Sequence, residues 1–128
     1  MIRFLDMEDI LQIHQNQLDH FGGTPGIRDF GAIESALAMP EAGMGDEYFH
    51  KDKFEMAAAY LYHLAQNHGF VDGNKRVAFY AALLFLAWND VVVDAADPKL
   101  IQWVLGTASG NKDKKEIAAF FRKHQIEG

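Results

Sequence analysis

Asn74-Lys75-Arg76-Val77-Ala78-Phe79-Tyr80-Ala81-Ala82-Leu83-Leu84-Phe85-Leu86-Ala87-Trp88 is polar for three residues and then apolar almost without a break. A helix that is apolar nearly all round belongs inside a protein, so this run reads as a central, buried helix, stopped by Asn89-Asp90. The stretch before it, from Asp52 on, places Phe54, Ala57, Ala58, Leu61, Leu64 and Ala65 on one face at helical spacing and ends near Asn67. Two strong helices therefore flank the short, glycine-punctuated segment 68–76.

Working outward, Asp6 with Asp9 marks a helix start, since acids favour the first turn. A somewhat irregular stripe of Ile10, Leu11, Ile13, Leu18 and Phe21 follows. Gly22-Gly23-Thr24-Pro25-Gly26 breaks that helix. Asp29 caps a short helix through Ile33, Ala36 and Leu37 that ends at Pro40. Residues 41–50 are weakly patterned and read as a loop or flap. Val91-Val92-Val93 has the composition of a strand but no evident partner. Asp97-Pro98 opens a helix with Ile101, Val104 and Leu105, and Asn111 or Asp113 opens the last, with Ile117, Phe120 and Phe121. The expected fold is all-α: six or seven helices in a compact bundle, almost no sheet, and a single domain over residues 1–128.

Composition narrows the function. Half the chain is hydrophobic, 49% of 128 residues, enough for a core without staples. There is no cysteine, which excludes disulfides, thiolate zinc sites and a cysteine nucleophile. A net charge of -6 disfavours nucleic acid and anionic membranes as partners. The start of the chain lacks the apolar run and small-residue cleavage site of a signal peptide, and no apolar stretch is long enough to span a membrane. A cytoplasmic location is expected.

The chemistry converges on His68-Gly69-Phe70-Val71-Asp72-Gly73-Asn74-Lys75-Arg76. Asn74 and Lys75 open a helix, so their backbone N–H groups lack helical acceptors. Gly73 lets the backbone approach a ligand, and the positive end of the helix dipole completes an anion site. Lys75 and Arg76 add a point charge and a two-pronged donor for phosphate. Asp72 would repel a phosphate unless a cation lay between them, and Mg²⁺ favours one or two carboxylates together with phosphate oxygens. His68 can take a proton from an attacking hydroxyl near neutral pH. Phe70, apolar among polar neighbours, is expected to anchor the loop in the core. Base, metal ligand, cradle and cationic clamp match phosphoryl transfer. Singly, each has an ordinary explanation, as a dipole-favoured surface histidine or a simple Asp-Gly turn; a Lys-Arg pair at a helix start is unfavourable for the helix itself.

This loop resembles the signature of the Fic/Doc superfamily: His, a spaced Phe, an acid, a small residue, Asn, and Arg two positions on. The segment 21–29 with Ile33-Glu34-Ser35-Ala36-Leu37 is also similar to the amino-terminal part of the Doc (death-on-curing) branch. Fic adenylyltransferases carry Gly after the Asn and a second Arg three residues after the first, where this chain has Lys75 and Phe79. The resemblance therefore implies transfer of the γ-phosphate of ATP rather than of adenylate. It implies His68 as base, Asp72 as Mg²⁺ ligand, Gly73, Asn74 and Lys75 on phosphate, and Arg76 clamping the transition state. It further implies a toxin that modifies a Ser or Thr of a translation protein, elongation factor Tu being the family's target. No Ser/Thr-x-x-x-Glu self-inhibitory pattern occurs: Thr24, Ser35, Thr107 and Ser109 are followed at that spacing by Arg28, Met39, Asn111 and Asp113. Inhibition by a helical segment of a separate antitoxin follows, and residues 43–49 could border its groove.

The alternatives are adenylyl transfer to a protein hydroxyl and a catalytically silent nucleotide- or partner-binding module; a helical transcription regulator is disfavoured by the acidic charge. Residues 22–26 either line the target groove or simply join two helices. Tyr60, Tyr62 and His63 read as helix-surface or core-edge residues. His14, His20, His50 and His124 lack metal-ligand spacing and read as surface. Trp88 and Trp103 read as core, and the charged run 112–116 as a solvated helix end.

Overall fold

A computed structural model of the protein describes residues 1–94, 102 and 113–127. Among these, five helices carry the structure: α1 Met7–Phe21, α2 Phe30–Ala38, α3 Lys53–Asn67, α4 Asn74–Trp88 and α5 Lys114–Lys123. Two short antiparallel pairs accompany them, β1 Gly43–Met44 with β2 Glu47–Tyr48, and β3 Val92–Val93 with β4 Gln125–Glu127. The fold is thus the expected helical one. The helix expected from Asp97-Pro98 and the core position of Trp103 lie outside the described residues.

Four of the five helices start on an aspartate. Asp6 and Asp9 form a reciprocal capping box, and Asp29, Asp52 and Asp113 accept the N–H of Ala32, Glu55 and Glu116 at 3.1, 2.8 and 2.8 Å. α4 is the exception: it starts at Gly73 with no side-chain cap.

The core lies where α3 and α4 pack along each other. Ala57, Ala58, Leu61, Val77, Ala78, Ala81, Ala82 and Phe85 are fully buried there, the alanines allowing close approach of the two backbones. α1 packs on α4, while α2 and α5 cover α3. The N-terminal segment is tied to this core by two buried polar groups. The Tyr60 hydroxyl accepts the Leu5 N–H at 2.8 Å, and burial pushes its pKa well up. Asn89, at the end of α4, accepts the Arg3 N–H and donates to the Arg3 and Phe85 carbonyls, at 2.9, 2.9 and 2.8 Å.

The structure corrects several expectations. Val92–Val93 does have a partner, the chain end at Gln125–Glu127, which periodicity cannot reveal because the pairing is non-local. Residues 43–48 form a hairpin, closed by Gly45 at φ 63°. Its Tyr48 packs on Phe4 and lies beside Lys53 and Phe54, the first residues of α3. Trp88 is half-buried, with the Arg3 guanidinium 4.0 Å from its ring centroid. α4 is not covered all round: Tyr80, Leu83, Leu84 and Ala87 face an open groove of about 390 Å³ with Ile13, Asn16 and Gln17 of α1.

Nor is His50 a simple surface residue. Its Nε2 and that of His63 lie 3.4 and 3.1 Å from the Lys114 ammonium, joining α3 to α5. An ammonium can only donate, so both imidazoles accept and both are held neutral. Burial, then Lys114, then His50 lower the His63 pKa to about 4; burial and Lys114 also lower that of His50, against the pull of Glu55.

Because the His63 value lies below the ordinary 6.5, the unfolded chain takes up protons that the folded chain refuses between these two values. This contribution to stability is complete above pH 6.5 and shrinks as pH falls towards 4. Melting temperatures measured from neutral to acid pH are expected to fall through that window, less steeply in His63→Gln. Separately, Asn89→Ala is expected to cost about 2–3 kcal/mol in urea denaturation, since it strands buried backbone groups.

Candidate active site

α3 ends at His68, an exposed residue in left-handed conformation, φ 50° and ψ 48°. Gly69 follows, packed so tightly on Ile33 of α2 that any Cβ would overlap that side chain. Its carbonyl accepts the N–H groups of Arg28 and Asp29 at 2.8 and 2.9 Å, and the Val71 N–H donates to the Gly26 carbonyl at 3.1 Å. Ile27 and Phe70 thereby face each other as an antiparallel bridge. Residues 22–29 are accordingly a wall of the loop 68–76 as well as a link between α1 and α2.

Phe70 lies beneath the loop, 2% exposed. Asn74 grips it from the far side: its Oδ1 accepts the Phe70 N–H and its Nδ2 donates to the Phe70 carbonyl, both at 2.9 Å. The imidazole of His14 stacks on the Phe70 ring, centroids 3.9 Å apart and planes at 17°.

Asp72 is held at three points. Its Oδ2 accepts the Thr24 N–H at 3.1 Å, its Oδ1 the Gly73 N–H at 2.9 Å, and its carbonyl lies 3.0 Å from His14 Nε2. Each carboxylate oxygen takes a single N–H and keeps a lone pair for a cation. Gly23, at φ 118°, admits this carboxylate, since a Cβ there would stand 2.8 Å from Oδ2.

Gly73 has φ 84° and begins α4 without a cap. The Val77 N–H returns to the Gly73 carbonyl, and the N–H groups of Asn74, Lys75 and Arg76 have no acceptor among the described residues. Three such donors at the positive end of a 15-residue helix are a ready anion site. Lys75 and Arg76 are exposed beside it, and the Arg76 guanidinium rests 4.0 Å from the ring centroid of Phe21, at the end of α1.

His68, Asp72, Gly73, Asn74, Lys75 and Arg76 thus line one open depression of about 380 Å³, together with Val71. Of the expected residues, Phe70 alone is not on its wall, because it is the floor anchor. Both polar atoms of the Asn74 side chain are turned onto Phe70, and its backbone N–H is left to the depression. His14, read from the sequence as a surface residue, is 6% exposed. Its place one helical turn from Ile10 was the available signal. The sequence leaves residues 22–26 as either groove lining or a simple link, because the contact of Thr24 with the loop spans 48 positions.

The Fic/DOC family profile matches residues 4–86, from before α1 nearly to the end of α4. The chain belongs to the Fic/Doc family. Among curated relatives, "Protein kinase doc" of Escherichia phage P1 is 34% identical over 122 residues, 95% of each chain. "Toxin Doc" of Mycolicibacterium smegmatis is 40% identical over 95 residues, 74% of this chain and 71% of that protein. Within the family, the resemblance is therefore to Doc proteins, and the family match takes in the whole loop and the wall at residues 22–29.

The grip of Asn74 on Phe70 sets a measurable expectation. Asn74→Ala strands a half-buried N–H and carbonyl and should cost about 1–3 kcal/mol. Urea denaturation of the two proteins measures it.

Proposed function

We propose that this protein is a Doc-like toxin that transfers the γ-phosphate of ATP to a Ser or Thr hydroxyl of a partner protein, with translation elongation factor Tu as the first target to test. The observation that carries this reading is the uncapped start of α4, three free N–H groups flanked by the Asp72 carboxylate and the His68 ring around one depression. The printed names of the two relatives, a protein kinase and a toxin, support it.

The residues fit a nucleotide phosphate chain and its metal. The N–H groups of Asn74, Lys75 and Arg76 would hold phosphate oxygens, and the Lys75 and Arg76 side chains would offset their charge. Asp72, braced but with lone pairs to spare, would hold Mg²⁺, which when bound neutralises charge on the phosphates. His68 would take the proton of the target hydroxyl as its oxygen bonds to the γ-phosphorus and the bond to the β–γ bridging oxygen breaks, leaving ADP. Arg76 would need to leave the Phe21 ring or slide along it to reach that phosphate, a motion open to an exposed side chain.

The target segment would lie against residues 22–29. The N–H and carbonyl of Ile27 point away from Phe70 and have no partner among the described residues, so they form a short free edge that an extended chain can pair with. The groove between α1 and α4 would seat a helical segment of a cognate antitoxin, for the sequence carries no self-inhibitory pattern of its own. The cytoplasm, where ATP and translation factors reside, is the fitting location.

Incubation with ATP, Mg²⁺ and purified elongation factor Tu, read by intact-mass spectrometry beside His68→Ala, tests the reading. The expected result is a gain of one phosphate that the variant abolishes. A gain of one adenylate would replace kinase by adenylyltransferase. Nucleotide binding with no modification of any translation protein would favour the silent binding module.

A further inference from the structure

His14 is the one buried histidine among the described residues, and the reaction outlined above does not use it. It sits in the middle of α1, on the face that carries the buried Ile10 and Ile13. Two contacts define its place. Its ring stacks on Phe70, and its Nε2 lies 3.0 Å from the Asp72 carbonyl oxygen. A carbonyl can only accept, so Nε2 bears the hydrogen and donates it. The ring edge also borders Gly73, where an added Cβ would lie 3.8 Å from Cδ2 and 3.9 Å from Nε2.

The peptide between Asp72 and Gly73 joins the two halves of the site. On one side is the carboxylate, on the other the left-handed turn that leaves three N–H groups free. Fixing this peptide fixes the position of one half relative to the other. The remaining contacts of Asp72 come from its own loop, through the Gly73 N–H, and from the glycine-rich wall, through the Thr24 N–H. Both are backbone groups of irregular segments. His14 is the contact that comes from a regular helix, and therefore from the rigid part of the molecule.

The side chain has to be flat and apolar on its face to stack on Phe70, and to carry a donor on its edge to reach the carbonyl. Imidazole meets both needs in the available space. Phenylalanine keeps the stack without the donor, and glutamine keeps a donor without the stack.

We propose that His14 is a positioning residue, which holds the peptide of residues 72–73 so that the Asp72 carboxylate and the free N–H groups of α4 act on one ligand. This rests on the reading of Asp72 as a Mg²⁺ ligand, and the test separates the two. Amide hydrogen exchange is followed by NMR in the intact protein and in His14→Phe and His14→Gln, and ATP binding is measured by calorimetry with and without Mg²⁺, with Asp72→Asn alongside. In His14→Phe, the Phe70, Val71 and Val77 amides should exchange about tenfold faster, the equivalent of one net hydrogen bond. Amides within α3 should be unchanged. The same variant should lose about tenfold of the affinity that Mg²⁺ adds, while affinity without Mg²⁺ stays within about twofold. His14→Gln should keep the loop amides within about threefold of the native rates, because it keeps a donor.

Native exchange rates for Phe70, Val71 and Val77 in His14→Phe would overturn the assignment, as would His14→Gln exchanging as fast as His14→Phe. Faster exchange across α3 as well would show a general loss of packing and overturn it too. If Mg²⁺ adds no affinity that Asp72→Asn removes, the reading of Asp72 falls and the positioning role falls with it.

Discussion

The backbone N–H groups of Asn74, Lys75 and Arg76 have no acceptor among the described residues, and the rest of the structure is arranged around that fact. At the other four described helices the start is satisfied by an aspartate. At α4 the capping position is a glycine in left-handed conformation, and the nearest amide side chain, that of Asn74, is turned back onto Phe70. Unsatisfied donors at a helix start are tolerated where water or an anion can reach them. The loop must therefore stay open on that side, and it must be held in shape from every other.

Three neighbours hold it. Gly69 presses on Ile33 of α2, residues 26–29 bond to its backbone, and His14 of α1 supports it from below. None of these contacts reaches the free N–H groups. The glycines at 23 and 69 are explained by crowding, since one makes room for a carboxylate and the other for a side chain from the next helix. Exposed apolar residues accompany the site: Val71 lines the depression, Phe21 lies against the Arg76 guanidinium and Ile27 is bridged to Phe70. Such residues suit a partner that is itself a polypeptide.

A second set of contacts serves cohesion rather than the site. Asn89 ties the first residues of the chain to the end of α4, β4 pairs with β3, and the group of His50, His63 and Lys114 fastens α5 to α3. These contacts bring the N-terminal segment, α5 and β4 onto the central pair of α3 and α4.

The described helices, the caps at Asp6 and Asp29 and the loop residues 68–76 were legible in the sequence, because each depends on residues within one or two turns of each other. Periodicity reports which face is apolar, an aspartate three residues before a free N–H reports a cap, and nine contiguous residues carry the loop chemistry. The hairpin at residues 43–48 was not legible, since two-residue strands leave no alternation to read. Neither was the partner of Val92–Val93. His14 shows why the local reading ends where it does. The sequence by itself places it on a helix one turn from Ile10, but its contact with Asp72 spans 58 positions, and that of Thr24 spans 48. Whether a polar side chain on such a face meets solvent or the backbone of a distant loop depends on how the helices pack, which only the tertiary structure decided.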